Sequence, residues 1–166
     1  MKRIEKLIVV VLVAGLLIAC EKQNTNSGKL SVTCSSDMVC RSNDPLKSSD
    51  PPPEISCIKF IYKDDSLLTM THFNAGFNCC PEKFSTVIQL KSDSLIIQEK
   101  ELKQGCKCNC LFNLEIEIKN LPAGTYHVRF VEPYVKQAMP QLVFDMDLKK
   151  DPVGEFCVTR SEGWWR

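Results

Sequence analysis

An excess of charge of one sign is missing: 21 Lys and Arg stand against 20 Asp and Glu, a formal net charge of +1 over 166 residues. A duplex-binding surface needs clustered cations to displace counterions, and no stretch of the chain supplies them, which argues against a nucleic-acid partner. Glycine is scarce, with seven residues, and none builds a phosphate-cradling loop; only two histidines occur, and no His-Glu-x-x-His spacing. Gly-x-Ser-x-Gly and the acidic calcium loop are also absent, so the sequence offers no catalytic motif and no enzyme is expected. Helical periodicity is not sustained after residue 20. Cys-x-x-Cys, the usual spacing of thiol oxidoreductases and zinc knuckles, does not occur. The longest apolar run, Leu7 to Ala19, has 13 residues, short of the roughly 20 that cross a bilayer as a helix.

What is present begins with the compartment. Lys2, Arg3 and Lys6 form a basic start ahead of that apolar run, the arrangement of a signal peptide over residues 1–19. The run ends in Leu17-Ile18-Ala19-Cys20, which resembles the lipobox of bacterial lipoproteins. The resemblance implies cleavage before Cys20 and a thioether from its sulfur to diacylglycerol. Acyl chains contribute roughly 0.8 kcal/mol per buried methylene, so two or three of them would hold Cys20 to the membrane almost permanently. Cleavage leaves 18 basic and 19 acidic side chains, a near-neutral domain with no electrostatic pull toward anionic lipid. Glu21 follows the cysteine where an Asp would favour retention at the inner membrane, and the outer membrane is the expected site. The lipid anchor makes the membrane a partner.

Residues 20–29, the lipidated Cys and a polar stretch, read as a flexible tether. Residues 30–55 read as a polar, proline-rich segment: Leu30 to Cys34 suggests a short first strand, and Asp50-Pro51-Pro52-Pro53 forbids helix. A Cys34–Cys40 pair would pin the loop between them. From residue 56 to residue 166 the pattern is alternation with β-branched residues, marking half-buried strands. Candidates are Ser56–Tyr62, Leu67–Asn74, Lys83–Leu90, Ser94–Lys100, Leu111–Lys119, Thr125–Glu132, Leu142–Leu148 and Phe156–Thr159. Lys63-Asp64-Asp65-Ser66 and Lys91-Ser92-Asp93 carry turn chemistry between them. Phe112, Leu114, Ile116 and Ile118 share one face of their strand, as do Tyr126, Val128 and Phe130 of theirs, which makes one side core and the other wet. The pattern predicts an all-β, disulfide-rich domain, an antiparallel β-sandwich of about seven short strands. Leu121-Pro-Ala-Gly-Thr-Tyr126 resembles the turn before the penultimate strand of immunoglobulin-like modules, which implies a sandwich of that kind.

With Cys20 spent on lipid, nine cysteines remain: 34, 40, 57, 79, 80, 106, 108, 110 and 157. An exported chain oxidises them, and an odd number leaves one thiol over. Cys79-Cys80 and Cys106-x-Cys108-x-Cys110 flank two predicted strands and are candidates for disulfides or for a metal. Residues two apart on a strand have Cα atoms roughly 6.5–7 Å apart, at or beyond disulfide reach, so cross-pairing between the clusters is favoured over bonds inside Cys-x-Cys-x-Cys. If their strand extends backward, Cys106, Cys108 and Cys110 all face the core. Cys57 and Cys157 are further candidates, near the first and last core strands. The alternative is a thiolate site for zinc or copper, for which His72 could add a nitrogen; the other reading of His72 is a hydrogen-bonded core residue. Of the terminal pair Trp164-Trp165, one indole is expected to dock over an open end of the sandwich.

His72-Phe-Asn-Ala-Gly-Phe-Asn-Cys-Cys-Pro81, Cys106-Lys-Cys-Asn-Cys-Leu-Phe-Asn-Leu114 and the Leu121–Tyr126 turn make the body similar to cysteine-rich lipoproteins common in Bacteroidota. The resemblance implies fold and compartment and carries no mechanism or cofactor. The expectation is a lipid-anchored envelope protein, a binding or structural module with no cofactor and with an unidentified protein or glycan as partner; the alternative is a zinc- or copper-binding lipoprotein using the two cysteine clusters.

Overall fold

A computed structural model describes residues 29–41, 50–103, 105–161, 163 and 165. The expected signal peptide, Cys20 and most of the tether lie outside the described residues. Among those described there is no helix, and nine strands follow in order: β1 Ser31–Ser35, β2 Ile55–Lys63, β3 Leu67–Asn78, β4 Pro81–Lys91, β5 Ser94–Lys103, β6 Asn109–Lys119, β7 Thr125–Val131, β8 Val143–Asp147 and β9 Val153–Thr159. They form a five-stranded sheet of order β1-β6-β3-β2-β9 and a four-stranded sheet of order β4-β5-β7-β8. The strand count exceeds the expected seven, although all nine overlap candidate segments; β1 and β9, both sheet edges, bury no residue fully. One pairing also departs from the antiparallel expectation. β5 and β7 run parallel, since β6 leaves for the other sheet and returns the chain in the same direction.

The inner faces of both sheets share one apolar core. Ile58, Phe60, Leu68, Met70, Ile116 and Ile118 come from the larger sheet, and Leu95, Ile97, Val128, Phe130, Phe144 and Met146 from the smaller. Each such side chain contributes about 1.5–3 kcal/mol when fully buried. A second cluster lies further along β3 and β6, where Phe77 and Phe112 meet Phe84 from the opposite sheet with ring centroids 4.7 and 5.1 Å apart.

Local chemistry fixes the register. Asp64 and Asp65 both have positive φ (53° and 49°) in the β2–β3 hairpin, and Ser92 (54°) does the same between β4 and β5, the handedness that matches strand twist. β3 carries a bulge between His72 and Ala75. Asn74 sits there in the left-handed region (φ 60°), and its side-chain amide lies 2.8–3.1 Å from the carbonyls of Pro51, Pro52 and Ile55, tying the proline-rich segment to the sheet. Gly154, opposite Phe60 in the β2–β9 ladder, leaves room for that ring: a Cβ on it would lie 2.5 Å from Phe60 Cζ. Trp165 is buried against Leu111, with Val135 and Met139 beside it; Trp164 lies outside the described residues.

Candidate functional site

Two connections cross between the sheets side by side. β3 ends at Asn78 in the larger sheet and β4 begins at Pro81 in the smaller one, so Cys79 and Cys80 form the whole crossover. The β5–β6 connection crosses back, and the ladders flanking it align Asn78 with Asn109 and Pro81 with Lys103. Two disulfides staple these crossovers: Cys79–Cys108, with Cα atoms 5.5 Å apart, and Cys80–Cys106, at 5.8 Å. Hydrogen bonds brace the same place. Asn78 Nδ2 donates to Cys106 O at 2.7 Å and to Cys108 O at 3.0 Å, Cys79 N donates to Cys108 O at 3.0 Å, and Cys80 N donates to Asn78 Oδ1 at 3.1 Å.

The remaining cysteines separate. β6 starts only at Asn109, so the shared core-facing orientation expected for Cys106, Cys108 and Cys110 holds for Cys110 alone; Cys106 is half-buried and Cys108 exposed. Cys110 pairs with Cys40. That bond replaces the expected Cys34–Cys40 pair, because β1 directs Cys34 toward the interior, beside both apolar clusters. Cys34 is the free thiol among the described residues, and burial pushes its pKa up, with Thr86 and Glu99 as its polar neighbours. Cys57 and Cys157 face each other in the β2–β9 ladder and are joined. All five sulfurs of the two clusters are therefore engaged in disulfides, and in that state none is a thiolate for zinc or copper.

His72 lies in a buried polar layer that divides the two apolar clusters. Along β3 it falls between Met70 and Phe77, and along β5 Glu99 follows Leu95 and Ile97 on the inner face. His72 Nδ1 lies 2.7 Å from Glu99 Oε1 and Nε2 lies 2.9 Å from Ser56 Oγ. Glu132, one residue past β7, is 3.6 Å from His72 Nε2 and receives the Arg160 guanidinium on both oxygens. Burial by itself would lower the His72 pKa, but the Glu99 carboxylate, with help from Glu132, outweighs it and the net shift is upward. Burial raises Glu99 as well, against the opposing pull of His72. The pair therefore holds a proton tightly. Ligand atoms of His72, Glu99 and Glu132 lie within 4.8 Å of one another, but Arg160 occupies both Glu132 oxygens and Glu99 holds Nδ1. This arrangement fits the core-residue reading of His72 better than the ligand reading.

Sequence reasoning missed Glu99, Glu132 and Arg160, although strand parity carried the signal. Glu99 continues Leu95 and Ile97, Glu132 continues Val128 and Phe130, and Arg160 continues Phe156 and Val158. Three charged residues at core-facing positions, Glu99 within β5, Glu132 just past β7 and Arg160 just past β9, could have been matched with His72. On the surface, His127 Nδ1 lies 2.8 Å from Asp145 Oδ1. A cleft of about 420 Å³ opens over β3 and β6, with Phe73, Thr71, Asn113 and Arg41 among its walls; Arg41 is anchored there by Asp37 and Asp50. No protein-family model, curated protein or solved structure matches the chain.

Proposed function

We propose that this protein is a lipid-anchored module of the bacterial cell envelope, held at the outer membrane through Cys20, with an immunoglobulin-like, disulfide-stapled sandwich that binds or braces and does not catalyse. The observation that carries this reading is the cysteine economy: eight of the nine cysteines after Cys20 are paired, across separations of 26, 29, 70 and 100 residues. Such a framework belongs to an oxidising compartment, which agrees with the leader-like first nineteen residues. The immunoglobulin-like reading is supported by Tyr126, whose hydroxyl donates to Pro122 O at 2.6 Å, the hydrogen bond of a tyrosine corner. Against catalysis, the buried His72 is sealed from solvent by its ion-paired partners. The cleft beside Phe73 and Arg41 is where a protein or glycan partner would sit.

The test is expression in a bacterium supplied with an alkyne-bearing fatty acid, followed by membrane fractionation. The wild-type chain should take the label and float with outer membranes, and Cys20→Ala should lose the label. An unlabelled wild-type chain in the soluble fraction would overturn the anchor.

A further inference from the structure

Three of the four sulfurs at the stapled crossovers crowd together across the two bonds. Those of Cys79, Cys80 and Cys106 lie within 4.8 Å of one another, and that of Cys108 is bonded to Cys79. Across the two different bonds, Cys79 Sγ and Cys80 Sγ are 4.0 Å apart. Zinc bound by four thiolates at about 2.3 Å in a tetrahedron has sulfur–sulfur edges of about 3.8 Å. We propose that in the reduced protein Cys79, Cys80, Cys106 and Cys108 form a tetrathiolate site for one zinc ion, so that the tip exchanges two disulfides for a metal.

The clustering does not depend on the bonds being intact. The Asn78 amide, the Cys79 N–H and the flanking ladders hold the two crossovers together, so the thiols stay gathered after reduction. Side-chain rotation must open the two bonded contacts by about 2 Å and swing the Cys108 sulfur inward, since it lies outside the group whose sulfurs fall within 4.8 Å of one another. Both residues of each of these bonds are within reach, Cys79, Cys80 and Cys106 being half-buried and Cys108 exposed, whereas each other disulfide pairs a buried residue, Cys57 or Cys110, with an exposed Cys157 or a half-buried Cys40. Attack by a reductant depends on that access. The balance is complete with a dithiol as reductant: two dithiols become two cyclic disulfides, four electrons and four protons convert the Cys79–Cys108 and Cys80–Cys106 bonds to thiols, and zinc then displaces four protons as four Zn–S bonds form. Cys110, bonded to Cys40, is no ligand. The site does not rest on the envelope reading, since it needs only the folded chain and a reductant.

The experiment takes the oxidised full chain, reduces it stepwise with a trialkylphosphine that does not bind zinc, and measures zinc by native mass spectrometry and elemental analysis. One zinc per chain should appear after two disulfides open and none before. Cobalt(II) in its place should show thiolate charge-transfer and tetrahedral ligand-field bands. Cys79→Ser/Cys106→Ser should lose the ion, while Cys57→Ser/Cys157→Ser should keep it. A reduced wild-type chain that stays folded by circular dichroism and takes up no zinc overturns the proposal; so does a reduced chain that unfolds and is not refolded by zinc. Zinc retained by Cys79→Ser/Cys106→Ser also overturns it, and the wild-type comparison decides alone if that variant does not fold.

Discussion

Arg160→Met should cost this fold a large share of its stability. The Arg160 guanidinium donates to both oxygens of Glu132, at 3.0 and 2.5 Å, and its Nε donates to Pro140 O at 3.3 Å; the two side chains are 0% and 2% exposed. Met fills much of the same volume and removes the charge, leaving a carboxylate in the interior with His72 Nε2, 3.6 Å away, as its nearest cationic partner. Removing one partner of a buried ion pair costs about 3–5 kcal/mol, against a total near 5–15 kcal/mol for an ordinary domain. At about 4 °C per kcal/mol for a chain of this size, Tm should fall by roughly 10–20 °C. Urea unfolding followed by circular dichroism, with disulfides intact, reads the loss directly. Adding Glu132→Gln should recover part of it, because the neutral amide needs no counter-charge. A loss below about 1 kcal/mol, or a double variant no better than the single one, would refute the argument that Arg160 compensates a buried charge.

Other expectations rest on separate features. The His72 pKa is raised above its ordinary 6.5 and that of Glu99 above 4.5; both groups therefore favour folding in their protonated forms. His72 and Glu99 share a proton, so the contribution belongs to the pair and is lost as pH rises through the raised folded value of His72. Stability measured by urea titration should thus fall from mildly acidic to alkaline pH, and His72→Gln should flatten the upper part of that slope. Gly154→Ala should destabilise by about 1–3 kcal/mol through its clash with Phe60, and Phe60→Leu in the same chain should return some of that in a thermal melt. Asn74→Ala should cost about 2–4 kcal/mol, losing both the carbonyl contacts and tolerance of positive φ, while Asn74→Gly should lose less. Alkylation should find one thiol, Cys34, slowly in the folded chain because burial keeps it protonated, and at once in urea without reductant.

Alternation made the strands legible: the Phe112–Ile118 and Tyr126–Phe130 faces both read correctly from period two. The short edges β1 and β9 also overlap candidate segments, although an edge strand has only one paired neighbour and buries little. The bulge at Asn74 was not legible, since it shifts the inward series from even to odd residues and only tertiary contacts to Pro51, Pro52 and Ile55 justify it. Disulfide geometry narrowed the partners of Cys79 and Cys80, yet the start of β6 at Asn109 decided that Cys110 would turn inward to Cys40. Parity could not say that Glu99 from within β5, and Glu132 and Arg160 from just past β7 and β9, would meet His72. That meeting depends on how the sheets stack, a distance between strands that no local pattern encodes.

The Cys57–Cys157 bond also sets how the chain answers to force. Residues 29 and 161 are separated by a covalent path that would extend to about 460 Å if it were fully unravelled. The bond joins positions 100 residues apart, so a pull on those two ends runs from residue 29 to 57, across the sulfurs, and out through the last few residues. Only about 110 Å of slack then exists. Six of the nine strands, β3 to β8, lie wholly inside the bypassed stretch, and tension reaches them chiefly where the Cys40–Cys110 bond ties the segment after β1 to β6 and where Arg160, on the loaded path, holds Glu132.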